Sequence, residues 1–260
     1  MATLEQAMKL IVPLLMIAAC GPAASADDIL DELTRNQKKA EKKADSLDDE
    51  DGTAKLRLYR LRHADPKWDR NFADGQCRLM RELAAQFPKM RDKVAREPKA
   101  IDYTTLAAFK ADAPPPFLYI GGASFKPTAA EKKILAQYVV QRRGMILGDS
   151  LGRDFGEDFA SVMNEITGTR PVEVPRDARF HLAPFELKQT PFAVAHNGTK
   201  AMGWKRDGRW AVYHHPGELS ALWRDDFGGV KKEIAEDGIR LGLNLYSYAI
   251  REFDQGRRDK

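Results

Sequence analysis

The chain has 260 residues, 43% of them hydrophobic, which is enough to bury the core of one large domain or two small ones and excludes a fully disordered protein. Its 42 basic and 38 acidic residues give a formal net charge of +4, and its two cysteines exclude both a disulfide-stapled small fold and a multi-cysteine zinc site. No apolar run reaches the ~18 residues that a membrane-spanning helix requires, which excludes a polytopic membrane protein.

The N-terminus has the features of a bacterial export signal. Residues 10–19 form an uncharged run whose length is typical of the hydrophobic region of a signal peptide. The sequence Ile17–Cys20 matches a lipobox, in which Cys20 is lipidated, and Ala24–Ala26 matches an ordinary signal peptidase site. The alternative, a buried N-terminal helix, is disfavoured by the proline within the run. We therefore expect residues 1–26 to be a signal peptide and the mature protein to lie on the periplasmic side, lipid-anchored or soluble, with no other membrane association.

Residues 27–52 have the composition of a charged tether. From Asp27 to Asp51 the chain carries ten acidic and five basic residues and no aromatic residue, so this segment cannot bury enough apolar surface to fold alone. The remainder, residues 52–260, then has nine more basic than acidic residues. An anionic partner such as nucleic acid, phospholipid or a wall polymer fits this charge, and so does a solvated surface. We favour the solvated surface and expect no nucleic-acid binding, because no basic helix face with interleaved aromatic residues occurs.

Strand patterns alternate with helix patterns from residue 55 onward. The predicted strands are Leu56–His63, Ala100–Tyr103, Phe117–Ile120, Met145–Leu147 and Trp210–Tyr213. The predicted helical segments are Leu79–Phe87, Thr105–Phe109, a helix from a capping box at Thr128–Glu131 to a C-cap at Gly144, Phe159–Ile166 and Ile239–Ile250. This alternation predicts a three-layer α/β domain over residues 53–252, with a mostly parallel sheet and helices on both faces, followed by a charged tail at 253–260.

The topology also predicts where a site would lie. In a parallel sheet, ligands bind at the carboxyl edge of the strands, where each strand leads into a helix. Glycines at two of these exits let the backbone approach a ligand closely. We expect the exits to share one crevice, the alternative being separate turns that are each satisfied locally. The residues assigned to this crevice are His63, Gly122, Asp149, Ser150 and one of His214 or His215.

One exit, Gly148–Gly152, matches the G-x-S-x-G pattern of a nucleophile elbow between a strand and a helix. In that interpretation Ser150 is the nucleophile, a histidine is its base, and Gly122 donates an N–H to the oxyanion. The alternative, which we favour, is a glycine-rich turn in which Asp149 or Ser150 caps the following helix. The five histidines lack the spacing of a metal site, and neither a metal nor a cofactor is expected.

Short motifs follow one another in a characteristic order over residues 53–252. They are Leu56–Tyr59, Trp68, Leu118–Gly122, Gly144–Leu147 with Asp149 and Gly152, His181–Phe185, Met202–Trp204, Arg209–Tyr213, Glu218–Trp223, Asn244 and Tyr248. This order resembles the bacterial family named domain of unknown function 4159. The resemblance implies a sheet like those of flavodoxin and class I glutamine amidotransferases. It also implies no established activity, and partners among envelope proteins such as AAA-type ATPases and von Willebrand A-type systems.

Two departures from the family pattern bear on function. The loop His63–Asp69 replaces a glycine pair and D-W-Y sequence, and Ser150–Leu151 stands where relatives tend to carry a cysteine beside the acid. A thiol nucleophile is therefore absent at this exit, and Cys77 belongs to a helix start. We expect an exported, non-catalytic binding or assembly module, the alternative being a serine hydrolase. The candidate residues are Ser150, His63, His214 and His215 for catalysis, Gly121, Gly122, Asp149, Gly152 and Trp68 for ligand binding, and Cys20 for lipidation.

Overall fold

The structure, a computed structural model, describes residues 56–69, 73–110, 114–193, 200–226 and 229–258. The predicted signal peptide with Cys20 and the predicted tether at 27–52 lie outside these residues. Within the described part of the chain, no helix combines the length and the apolar character needed to cross a membrane.

Seven strands of the described chain form one sheet. They are β1 (Tyr59–Leu61), β2 (Lys99–Ile101), β3 (Phe117–Gly122), β4 (Met145–Ser150), β5 (Val172–Glu173), β6 (Met202–Arg206) and β7 (Arg209–His215), in the spatial order β2-β1-β3-β4-β7-β6-β5. The first five in that order pair in parallel, whereas β6 and β5 pair antiparallel. The predicted mostly parallel α/β sheet is confirmed.

Helices cover both faces of the sheet, as predicted. They are α1 (Ala73–Gln86), α2 (Tyr103–Ala108), α3 (Ala129–Ala136), α4 (Arg153–Thr167), α5 (Arg179–Leu182) and α6 (Lys232–Arg258), with 3₁₀ segments at Pro88–Lys93 and Leu219–Trp223 and a π turn at Gln137–Gln141. Side chains alternate across β3: Phe117 and Tyr119 join the cluster under α1 and α6, and Leu118 and Ile120 join the cluster under α2, α3 and α4. The central strands are therefore buried on both sides.

The helix after β3 begins as predicted but ends differently. Thr128 and Glu131 form the predicted capping box at the start of α3. The helix then passes into the π turn, and the left-handed residue that follows is Arg143, with φ 59°, rather than the predicted Gly144. Glycine is required at position 144 for a different reason, since a Cβ there would lie 2.1 Å from the ring of Tyr138.

Two element boundaries extend beyond their predicted limits. β4 runs to Ser150 instead of ending at Leu147, so that residues 148–150 belong to the sheet and not to a turn. The last helix, α6, continues past residue 252 to Arg258, because Phe253 is buried against the domain. The described part of the predicted charged tail is therefore helical.

The antiparallel strands β6 and β5 have no counterpart in the predicted elements. β6 and β7 form a hairpin through Asp207 and Gly208, whose φ angles of 50° and 76° are typical of a type I′ turn. An Asp-Gly pair between apolar segments is itself a sequence signal for such a hairpin. It places Trp204 opposite Val212, so the hairpin extends the sheet beyond the predicted Trp210–Tyr213 strand.

Candidate functional site

The exits of β3, β4 and β7 lie side by side at the carboxyl edge of the sheet. Because these strands are parallel and neighbouring strands are roughly 5 Å apart, their ends lie close together at one edge. This agrees with the expectation that the strand exits share the carboxyl edge of the sheet. Their register pairs are Gly121 with Asp149, Gly122 with Ser150, Gly148 with His214, and Asp149 with His215.

Two side chains from the loop after β1 fix the loop after β3. The Nε2 of His63 donates to the carbonyl of Gly121 at 2.9 Å, and burial lowers the pKa of His63 while that hydrogen bond opposes the shift. The carboxylate of Asp65 accepts the backbone N–H groups of Ala123 and Ser124 at 2.5 and 2.9 Å, and that of Lys67 at 2.9 Å. Burial would raise the pKa of Asp65, but these three donors hold it below its usual value.

Glycine at position 122 makes this close approach possible. A Cβ on Gly122 would lie 2.8 Å from the Oδ2 of Asp65 and 3.1 Å from the ring of His63, and its φ of 158° is rarely adopted by other residues. Gly122 is therefore explained by the packing of the two loops against each other. It lies at the edge of the predicted site, and the atoms that exclude a side chain at this position belong to Asp65 and His63.

Asp149 faces the interior of the domain. Its carboxylate accepts the N–H of Leu219 at 2.7 Å, the N–H and hydroxyl of Ser220 at 2.9 and 2.5 Å, and the hydroxyl of Tyr119 at 3.0 Å. Burial raises the pKa of Asp149, and the four hydrogen bonds oppose the shift. The prediction that Asp149 caps the following helix is wrong: Asp149 binds the start of the 3₁₀ segment at Leu219–Trp223, whereas the N-cap residue of α4 is Gly152, and no side chain caps this helix.

Ser150 does not have the surroundings of an activated nucleophile. Its Oγ donates to the carbonyl of Gly152 at 2.6 Å, so it neither caps α4 nor contacts a base. The Nε2 of His214 and the Oγ of Ser150 lie 3.6 and 3.7 Å from the same point, the position of a Cβ built on Gly156. They share a gap without forming a hydrogen bond.

The two adjacent histidines point to opposite faces of the sheet, as expected for neighbours in a strand. The ring of His214 stacks on Phe159 at 5.4 Å, its Nε2 has no hydrogen-bond partner among the described residues, and burial lowers its pKa to about 4. The ring of His215 stacks on Phe192 at 4.9 Å on the other face. Of the pair, only His214 therefore lies near Ser150.

Trp68 and Gly152, both predicted to bind a ligand, have different surroundings. The guanidinium groups of Arg60 and Arg62 lie 5.1 and 5.4 Å from the ring centre of Trp68, and Arg60 also forms an ion pair with Asp69. Gly152 is exposed, and a Cβ there would meet no atom within 4 Å. Trp68 thus shapes the first loop, while Gly152 offers open surface at the start of α4.

Three residues that organise the edge have no role in the sequence-based prediction, namely Asp65, Tyr119 and Ser220. Asp65 has a local signal, since aspartate before a proline often accepts a backbone N–H two residues later, as it does from Lys67. Tyr119 and Ser220 have no such signal. Their partner Asp149 is 30 and 71 positions away, a distance over which a sequence pattern carries no information about contact.

Two cavities of the described chain lie away from this edge. One of about 610 Å³ is lined by residues that include Leu56, Phe87 and Ile250, and one of about 810 Å³ lies beside α1. No group of three or more potential ligands within the described residues could hold a metal ion. Cys77 is half-buried, and burial raises the pKa of its thiol, so it does not have the environment of a reactive thiolate.

A comparison with known families gives one result that covers most of the chain. The family model described as Domain of unknown function (DUF4159) matches residues 57–250. This range begins just before β1 and ends within α6, so it includes the whole sheet and every exit described above. No curated protein matches the chain.

Proposed function

Since the chain belongs to the DUF4159 family, we propose that it is an exported, non-catalytic binding or assembly module of the cell envelope. The observation that carries the non-catalytic part is the hydrogen bond from Ser150 Oγ to the carbonyl of Gly152. A serine nucleophile needs a base within hydrogen-bond reach. Here His63 is bonded to Gly121, and His215 lies on the other face.

The carboxyl edge supports the binding part of the proposal. His63 and Asp65 hold the loops after β1 and β3 together, so a partner would meet a surface that is already ordered and loses little conformational entropy on binding. Exposed Gly152 lies beside this surface, at the start of α4. Its φ of 169° and ψ of 175° are extended, a conformation that any residue adopts.

A bulky substitution at Gly152 tests the binding surface. A Cβ at position 152 would meet no atom within 4 Å, so Gly152→Trp adds a bulky side chain at this exposed position and should abolish capture of the partner from envelope extracts without lowering the melting temperature. Arg170→Trp, at an exposed position that precedes β5 and so lies on the amino side of the sheet, is the matched control and should capture the same protein. Equal capture by the unmodified protein and by both variants would exclude this edge as the binding surface.

Export is the part of the proposal that rests on the N-terminal sequence. Intact-mass measurement of the protein isolated from its native cells, from both the membrane and the soluble fractions, tests it. A diacylglycerol-modified mature chain that begins at Cys20 supports the lipoprotein form, and a chain that begins at Asp27 supports the soluble periplasmic form. A chain that retains Met1 excludes export. The captured partners then show whether AAA-type ATPases or von Willebrand A-type proteins are among them.

A serine hydrolase is the second candidate, favoured by the gap that Ser150 and His214 share above Gly156. Catalytic contacts are often looser without a substrate and tighten when it binds. Labelling by a fluorophosphonate probe that Ser150→Ala and His214→Ala both abolish would support the hydrolase. The non-catalytic proposal predicts no labelling of the unmodified protein, with an established serine esterase as the positive control.

A further inference from the structure

A basic groove lies beside α1, away from the candidate site. Its volume is about 810 Å³, within the range of small-molecule binding sites. We call it the arginine groove. Its charged lining residues are Arg57, Arg81, Arg91, Asp92 and Arg96.

The arginine groove is at the amino edge of the sheet. Arg57 precedes β1 and Arg96 precedes β2, and the two chain segments meet at a parallel bridge between Leu56 and Val94. The exits described above follow the strands at their carboxyl ends. The groove is therefore separate from the proposed binding edge, and a ligand bound in it would not contact that edge.

The backbone around the groove is fixed by hydrogen bonds. The N–H of Leu56 donates to the backbone carbonyl of Lys93 at 2.6 Å, and the N–H of Ala95 donates to the carbonyl of Leu56 at 2.9 Å. The N–H of Val94 donates to the carbonyl of Arg91 at 3.3 Å. These bonds hold the 3₁₀ segment Pro88–Lys93 against the start of the sheet. Arg91, within this segment, and Arg96, which follows it, thus extend from an ordered backbone.

The groove has an apolar floor and a cationic rim. Met80 and Val94 are buried in the core beneath it, while four arginines and one aspartate contribute charge. Arg81 is partly neutralised by Asp225, whose two carboxylate oxygens are each 3.1 Å away. Arg91 and Arg96 are exposed, and neither has an ion pair with another residue of the described ranges. Two guanidinium groups on an ordered backbone are thus not neutralised by those residues.

We propose that the arginine groove binds a ligand with two or more phosphate groups. A guanidinium group matches the geometry of phosphate by donating two parallel hydrogen bonds, and it stays charged at every physiological pH. A single phosphate is small compared with a groove of this volume, whereas linked phosphates offer several anionic groups to the arginines that line it on the 3₁₀ segment and on the residues that follow. The apolar floor accommodates an uncharged part of the same ligand.

Calorimetric titration of the mature full-length protein with inorganic pyrophosphate tests the proposal. We expect saturable binding that the double substitution Arg91→Gln, Arg96→Gln weakens at least tenfold. The matched control is Arg170→Gln, Arg176→Gln, which removes two exposed positive charges elsewhere and should change the affinity less than twofold. Equal melting temperatures show that both double variants remain folded.

Cosedimentation with vesicles identifies the source of the phosphates. Vesicles of phosphatidylcholine with cardiolipin, which has two phosphates per molecule, are compared with phosphatidylcholine alone. Cardiolipin-dependent binding that the Arg91, Arg96 double variant loses supports the proposal with a lipid headgroup as ligand. Pyrophosphate binding without vesicle binding supports it with a soluble ligand. If neither probe binds, or if both double variants lose binding equally, the proposal is wrong.

Discussion

The carboxylate of Asp149 and the hydroxyl of Ser220 are hydrogen-bonded across 71 positions of sequence. The same carboxylate accepts three further hydrogen bonds, from the backbone of Leu219 and Ser220 and from Tyr119. A buried anion is tolerated in a protein when such donors compensate for its lost hydration. The contact therefore joins the end of β4 to the 3₁₀ segment that packs under α6.

Replacing this anion should destabilise the domain. Asp149→Asn puts an amide group, which donates, against groups that also donate, and we expect the free energy of unfolding to fall by about 2–4 kcal/mol. Urea denaturation measures it. Ser220→Ala removes the hydroxyl and keeps the backbone donors, so it should cost only about 1 kcal/mol. An equally large loss in both variants would contradict the role assigned to the carboxylate.

Stability should decrease in mild acid because of His214. Burial lowers its pKa in the folded state to about 4, whereas an unfolded histidine has a pKa of about 6.5. As the pH falls from about 6.5 to 4, the unfolded chain binds a proton that the folded protein does not. The free energy of unfolding is therefore about 3 kcal/mol lower at pH 4 than at neutral pH. The contribution of His214 to stability is therefore complete above about pH 6.5 and decreases as the pH falls toward 4.

The variant His214→Phe isolates this contribution. Its ring can stack on Phe159 as the imidazole does, and it does not titrate. Burial also lowers the pKa of His63 and His181, so the variant keeps part of the pH dependence. Urea denaturation at pH 7.5 and 4.5 should show a smaller loss for the variant than for the unmodified protein. The same loss in both would mean that His214 is protonated in the folded state.

Two glycines at the carboxyl edge should respond differently to the same substitution. Gly122→Ala brings a methyl group to 2.8 Å from the carboxylate of Asp65 and should lower the free energy of unfolding by roughly 1–3 kcal/mol. Gly152→Ala meets no atom within 4 Å and should change it by less than about 0.5 kcal/mol. Thermal and urea unfolding of the two variants provide the comparison. Similar values for both would contradict the close packing of the first two loops.

Removal of the Asp65 carboxylate should loosen the loop after β3. Asp65→Ala leaves the N–H groups of Ala123 and Ser124 without their acceptor, so their amide hydrogens should exchange with solvent much faster. Exchange at Leu147, in the centre of β4, should stay slow. Hydrogen exchange followed by NMR distinguishes the two. Unchanged protection at both loop positions would mean that another group holds this loop.

The sequence predicts the parallel part of the sheet because its strands are compact apolar segments with amphipathic helices between them. Phe117–Ile120 and Met145–Leu147 lie within the observed β3 and β4. β5 has only two residues, Val172 and Glu173, both exposed, and so has no apolar period to detect. A strand of this length forms because the hairpin of β6 and β7 supplies a neighbour.

The site is predictable only as far as the backbone. Parallel topology places the ends of β3, β4 and β7 at one edge of the sheet, and the observed register puts Gly122 beside Ser150 and Asp149 beside His215. Which face each side chain takes depends on the register, since a shift by one residue exchanges the two faces. It is this register that directs Asp149 to Ser220 and separates Ser150 from a base, and neither follows from the letters G-D-S-L-G.

The two outermost strands of the sheet are β2, with three residues, and β5, with two. A sheet edge recruits another chain when it offers a long row of unpaired backbone groups, and natural proteins limit that hazard with very short edge strands. This sheet is therefore poorly suited to adding a foreign strand or to fibril-like stacking. Loops and helix ends are left as its means of recognition, so specificity depends on side chains and not on a shared backbone ladder.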